Sequence, residues 1–181
     1  MTTTQRADNL RKIAKAAVHI ERTRDIPAEL STVQCIIESG WLSKAIGNNA
    51  FGIKAVKGQP FRRVVTTERM TPKQLEAERA KGYNIVSYKN HVAVLEQDFA
   101  DYATLEECFE AYADLLTKGR YFKARYSKYL EHRDVERLLS DMSGNDGQPP
   151  YFTGAGYVEL WRSIVRQANV KAAIEEARNA T

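Results

Sequence analysis

The hydrophobic residues of this chain change period twice, and those two changes limit the folds open to it. Leu10, Ile13, Ala17 and Ile20 recur at helical spacing over residues 8–22. Leu30, Val33, Ile37 and Trp41 make a second helical stripe that begins near Pro27 and ends at Gly40. From Phe61 to Phe99 the pattern turns β-branched, with strand-like runs at 63–68, 84–88 and 92–95. Between the first two runs, Thr71-Pro72-Lys73-Gln74 reads as a capping box for a short helix that Gly82 closes. The helical period then returns. Thr104-Leu105-Glu106-Glu107 reads as a further capping box, and Leu105, Cys108, Phe109, Tyr112, Leu115 and Leu116 form an apolar stripe up to Gly119. Helical pieces at 121–129 and 133–142, a polar loop at 143–150 and a final helix carrying Tyr157, Leu160, Trp161, Ile164 and Ala168 complete the chain. The expected architecture is α+β, mainly helical, with a β lobe at about 61–99 inside one domain of 181 residues.

Composition matters where it excludes partners. No apolar run approaches the ~18–20 residues of a membrane span. The first residues, Met1-Thr2-Thr3-Thr4-Gln5-Arg6, contain no apolar signal core, so work outside the membrane implies phage-lysis release, specialised secretion or a segment trimmed from a larger enzyme. The net charge of +4 suits a polyanion, but the Lys and Arg residues form no strong stripe along the sequence. Cys35 and Cys108 fall on apolar helix faces and read as small buried hydrophobes. His19, His91 and His132 are far apart, and no Cys/His cluster has metal-ligand spacing, so neither a metal nor another cofactor is expected.

Among the carboxylates Glu38 stands apart. It sits in Cys35-Ile36-Ile37-Glu38-Ser39-Gly40-Trp41, the most hydrophobic surroundings of any acid in the chain, and in the last turn of its helix. Desolvation and the negative end of the helix dipole both favour its neutral form. A carboxyl that is protonated at working pH can give a proton to a glycosidic oxygen. A helix-end Glu that simply points at solvent would look the same in sequence.

Glu38-Ser39-Gly40-Trp41 after a hydrophobic helix, followed by Asn49-Ala50-Phe51-Gly52-Ile53-Lys54, resembles glycoside hydrolase family 73, the glucosaminidases of flagellar hydrolases and many autolysins. Val65-Thr66-Thr67-Glu68 is similar to the family's Thr-Thr-Glu strand. Phe99-Ala100-Asp101-Tyr102 is similar to its Phe-Arg-x-Tyr, and Tyr151-Phe152-Thr153-Gly154-Ala155-Gly156-Tyr157 to its Tyr-Ala-Thr-Asp-Pro-x-Tyr. The ordered set spans about residues 10–168. Three features differ: Leu42 stands where the family usually has Gly, Gly154-Ala155 replace Asp-Pro, and the helix near 71–82 lengthens the stretch after Glu68.

The resemblance implies a lysozyme-like fold with a glycan groove between a helical body and the β lobe. It implies cleavage of peptidoglycan at the β-1,4 bond between N-acetylglucosamine and N-acetylmuramic acid. By position, the general acid carries over onto Glu38, the second carboxylate onto Glu68 and the active-site tyrosine onto Tyr151. Asn49, Phe51, Lys54, Trp41 and Tyr157 are candidates to bind substrate. Phe51 could equally be a wedge beneath the groove and Trp41 part of the core. Glu68 lies in a polar run, Thr66-Thr67-Glu68-Arg69, which suits a water-activating base or a charge stabiliser. Carboxyls about 5–5.5 Å apart serve a covalent intermediate, about 6.5–9.5 Å an attacking water, and the substrate's own acetamido group offers a third route. The expected partner is a peptidoglycan strand acted on by a monomer, with no nucleic acid. Rival readings are a lytic transglycosylase or muramidase on the same fold, and a non-catalytic wall- or nucleic-acid-binding protein.

Overall fold

Why the chain folds around its second helix is visible in a computed structural model that describes residues 1–120, 122–152 and 156–180. α2 (Ala28–Ser39) buries every residue from Leu30 to Ile36, so Ser31, Thr32 and Gln34 are interior along with Leu30, Val33, Cys35 and Ile36. α1 (Thr3–Arg24) packs on it and is longer than the apolar stripe alone indicates, because Thr2 and Gln5 form a capping box two turns before Leu10. α4 (Leu105–Lys118) packs against α1 and inserts Phe109, Tyr112 and Leu116 into the same core. Its N-terminus is only half a capping box. Thr104 accepts from the Glu107 N–H, but the Glu107 carboxylate accepts from the Ala103 N–H at 2.9 Å rather than closing on Thr104.

The β lobe is one antiparallel sheet of β1 (Phe61–Arg69), β2 (Asn84–Lys89) and β3 (Val92–Ala100), in the order β1-β3-β2. β3 runs five residues beyond the strand-like stretch 92–95. Gln97 interrupts the hydrophobic alternation that identifies a strand, yet it is buried and hydrogen-bonded by Lys54 and Thr66. α3 (Pro72–Ala80), capped by Thr71 and Gln74, closes one face of the sheet. Met70, Leu75, Ala93 and Leu95 form a small core there, distinct from the main one.

The C-terminal third departs from its sequence reading in three ways. α5 (Lys123–His132) and α6 (Val135–Ser140) replace the pieces at 121–129 and 133–142, with Tyr121 outside the described residues. A π-type turn, Asp141–Asn145, takes up the start of the polar loop at 143–150. The final helix is two: α7 (Tyr157–Val165) and α8 (Ala168–Asn179), separated where Gln167 turns extended. Leu160, counted in the apolar stripe, is exposed, whereas Tyr157, Trp161 and Ile164 are buried. The two cysteines are buried and free.

The basic residues gather more than a linear reading shows. Arg11, Lys15, His19 and Arg22 recur along one face of α1 and line a groove shared with Ala173, Glu176 and Ala177 of α8. The stripe is partly neutralised, since Arg11 pairs with Asp8 and His19 with Glu110. Among the described residues, no helix is long and apolar enough to cross a membrane, and no group of three acidic, His or Cys side chains could hold a metal.

Candidate active site

The end of α2 is built to hold Glu38 in place. Gly40 turns left-handed (φ 56°), and its N–H and that of Trp41 both return to the Ile36 carbonyl. Ser39 is buried; its hydroxyl donates to the Cys35 carbonyl at 2.6 Å and accepts from the Leu42 N–H at 2.9 Å. The left-handed turn continues through Trp41 (φ 62°) and Leu42 (φ 65°), a conformation that costs a side chain with a Cβ and persists only where surrounding contacts enforce it. The family's usual glycine after the tryptophan thus has a physical reason, and this chain meets the same geometry with leucine.

The helix is buried, but Glu38 at its end is an exposed residue. Its inner side is crowded, and this desolvation holds the carboxyl above the usual carboxylate range; a hydrogen bond from Tyr157 opposes the shift. The Tyr157 hydroxyl, at the first turn of α7, donates to Glu38 Oε1 at 3.3 Å. Phe152 stacks on the Tyr157 ring with centroids 3.7 Å apart.

Tyr151 belongs to the same cluster without a direct bond to the acid. Its ring packs edge-on against Phe122 and Phe152, and burial and then the Glu38 charge raise its phenol well above normal. The loop that delivers it is anchored by Arg125, a buried guanidinium that grips both Asp146 carboxylate oxygens at 2.6 Å and the Pro149 carbonyl at 3.1 Å. The Arg125 guanidinium beside it lowers Asp146 to about 2. Thr153, Gly154 and Ala155, the middle of the tyrosine motif, lie outside the described residues.

The β lobe gathers a second group. Glu68 is the last residue but one of β1, on the face it shares with Thr66, whose hydroxyl lies 3.4 Å from Glu68 Oε1 and 2.9 Å from Gln97 Oε1. Lys54 donates to that same Gln97 oxygen and sits 3.6 Å above the Phe99 ring. Burial lowers the Lys54 ammonium, and Glu68 is first among the charges that oppose this. The Glu78–Lys81 pair at the end of α3 also acts on Lys54, so the inserted helix lies within electrostatic reach of Glu68.

The remaining candidates have structural duties. Asn49 is buried, donating to the Ile53 and Ala100 carbonyls at 2.8 and 2.9 Å and accepting from the Ile53 N–H at 3.0 Å. Both N–H donors of its amide are used in shaping the loop. Phe51 is a core residue, stacked on Tyr112 with centroids 4.2 Å apart, in keeping with a wedge. Trp41 is half-buried, and the Arg6 guanidinium covers one face of its ring at 3.7 Å.

The glucosaminidase family model, described as mannosyl-glycoprotein endo-beta-N-acetylglucosaminidase, matches residues 14–170. The chain belongs to this family. It is a glycoside hydrolase. The catalytic domain of the autolysin Auto from Listeria monocytogenes superposes with a TM-score of 0.69 at 19% identity, over 96% of this chain and 89% of that one. The glycoside hydrolase domain of FlgJ from Salmonella typhimurium gives 0.65 at 21% identity, over 98% and 94%. A peptidoglycan hydrolase from Sphingomonas sp. A1 gives 0.61 at 18% identity, over 97% of each chain. These likenesses establish the lysozyme-like glucosaminidase fold. No curated protein sequence matches the chain.

Glucosaminidase membership leaves three features that the sequence reading passed over. Gln34 lies one turn before Glu38, fully buried, and accepts a hydrogen bond from the Tyr112 hydroxyl. Its signal was an amide between the apolar Val33 and Cys35-Ile36-Ile37. Gln97 with Thr66, and Arg125 with Asp146, join residues 31 and 21 apart in sequence, and no local pattern marks either pair.

Proposed function

We propose that residues 1–181 form a single catalytic domain that cleaves peptidoglycan at the β-1,4 bond on the reducing side of N-acetylglucosamine, with Glu38 as the general acid. The observation that carries the proposal is the environment of Glu38: one side open to a substrate, the other crowded enough to hold the carboxyl protonated beyond its ordinary range. Glucosaminidase membership and the peptidoglycan-hydrolase names of the structural neighbours support the substrate.

In this reading Glu38 protonates the leaving oxygen as the glycosidic bond breaks, and Tyr157 steadies the carboxylate left behind. Glu68, on the lobe with Lys54 and Thr66, serves as the water base or stabilises the developing positive charge on the sugar. Tyr151 borders the acid and contacts the sugar's acetamido group or the water. The protein works as a monomer on wall material outside the cytoplasmic membrane.

Digestion of purified peptidoglycan, borohydride reduction and mass analysis test this. New N-acetylglucosaminitol ends are expected from the parent and none from Glu38→Gln. Reduced N-acetylmuramic acid would make the protein a muramidase, and anhydro-muramic acid a transglycosylase; either result overturns the proposed bond.

A further inference from the structure

The groove between α1 and α8 carries charges of both signs around an apolar centre, in a volume of about 660 Å³. Arg11, Lys15 and Arg22 stand exposed along one face of α1, about 6 Å between the first two and about 16 Å from first to last along the helix. Val18 with Ala173 and Ala177 of α8 supplies small apolar side chains between them, and Glu176 stands exposed on the α8 side. Among the described residues, neither Lys15 nor Glu176 forms an ion pair, although both line the same groove. Arg22 donates to the Arg178 and Ala180 carbonyls at 2.6 and 3.5 Å, which fixes its guanidinium and leaves its charge uncompensated. Arg11 pairs with Asp8 at the surface, a bond that another carboxylate can replace at little cost. His19 takes no part, since its ring faces Glu110 at 2.9 Å.

This lining discriminates among ligands. Single-stranded nucleic acid is held by stacking on aromatic rings, and no Phe, Tyr or Trp lines the groove. A phosphate polymer would gain from the three cations, but Glu176 would repel it and the apolar centre would go unused. A short peptide of small apolar residues that carries carboxylates and an amine uses every part. Its methyl groups lie on Val18, Ala173 and Ala177, its carboxylates meet Lys15 and Arg22, and its amine meets Glu176. Alternate residues of an extended peptide lie roughly 6.6 Å apart, close to the helical spacing of Arg11 and Lys15.

We infer that this groove binds the stem peptide of peptidoglycan, an alanine-rich chain with free carboxylates and a diamino residue, as a second point of attachment to the wall. The inference rests on the reading of peptidoglycan as the substrate. The groove is separate from the acid. α8 meets the start of α2 through Arg178 and Glu29, and Glu38 stands at the other end of that helix, roughly 13 Å further on. A strand held here by its peptide stays near Glu38 without blocking it, which raises the local concentration of glycan.

Amide NMR titration of the full chain with soluble stem tetrapeptide reads the binding directly. Saturable shifts are expected in α1 and α8 around the groove. Lys15→Glu and Glu176→Lys should each weaken that binding roughly three- to tenfold. Both positions are exposed, so both variants keep the fold. On intact wall the same variants should raise KM by a similar factor with kcat unchanged, and on glycan strands stripped of peptide they should match the parent. Tighter binding of the tetrapeptide by Glu176→Lys, as inorganic polyphosphate should show, would make the groove a polyanion site and overturn the inference. An absence of saturable groove shifts in the parent, or shifts confined to the residues around Glu38, would overturn it as well. A parent that binds the tetrapeptide in the groove yet cleaves no wall would support this inference and defeat the proposed function.

Discussion

The two carboxylates proposed for catalysis lie in opposite surroundings. Glu38 is crowded by groups that carry no charge at neutral pH: three tyrosines and a buried thiol. Glu68 shares its face with Thr66, Gln97 and the Lys54 ammonium, and the Glu78–Lys81 pair is near. Neutral, desolvating neighbours favour a group that holds its proton until the leaving oxygen needs it. Around Glu68 the neighbours are polar and of mixed charge, partners that Glu38 lacks. The difference follows from fold: the main core can isolate a helix end, whereas a three-stranded sheet with its own small core keeps polar side chains on its working face.

Exchanging each acid for its amide tests that division most strongly. Glu38→Gln should lower turnover by roughly 10²–10⁴-fold, the usual contribution of an acid or base, with folding intact. Glu68→Gln should cost about 10²-fold if it activates the water, and about tenfold or less if the acetamido group attacks. Release of reducing ends from purified wall measures both. Activity of Glu68→Gln within about threefold of the parent would remove it from the mechanism and collapse the comparison to a single acid. The parent's kcat/KM should fall as pH rises through the raised Glu38 value, since only the protonated form can act.

Much of this was legible before any coordinates. The period changes placed the helical body and the β lobe, because each element buries one face and its sequence repeats with that face. The raised carboxyl of Glu38 was legible because desolvation and a helix end are both local. The same locality explains what was hidden. β3 ran past its hydrophobic alternation because Gln97 finds its partners, Lys54 and Thr66, on other segments. The break between α7 and α8 carries neither Gly nor Pro, so 157–168 read as one helix. Tyr157 looked secondary to Tyr151 until α7 folded back to set its hydroxyl on the acid.

A second prediction bears on how the body side is held. Arg125 and Asp146, with side chains 2% and 11% exposed, are the tether of the loop before Tyr151. Arg125→Met should destabilise the protein by about 3 kcal/mol, because it strands a buried carboxylate, and Arg125→Met with Asp146→Asn should recover part of the loss. Denaturant midpoints check both. The sign with pH is fixed: Asp146 is lowered on folding to about 2, so its contribution is complete above the unfolded value of ~3.9 and is lost as pH falls through about 2. The parent should therefore lose stability more steeply below pH 4 than the double variant does. Equal acid sensitivity would mean that the tether contributes nothing.

The smallest expected effect concerns the turn that carries Glu38, at Leu42. Alanine there loses side-chain packing and keeps the left-handed backbone, for a cost of about 1 kcal/mol. Glycine loses the same packing and adds about 0.5–1 kcal/mol of chain entropy in the unfolded state, but it sheds about 1–2 kcal/mol of left-handed strain. The balance makes Leu42→Gly at least as stable as Leu42→Ala, the reverse of the order in an ordinary loop or helix. Thermal melts of the two variants decide it. A glycine variant less stable than the alanine variant by 0.5 kcal/mol or more would mean that the turn stores no strain at this position. If the order is reversed as expected, the helix end that presents the acid is held under tension that the lobe carboxylate does not share, since Glu68 lies on a regular strand paired with Ala93.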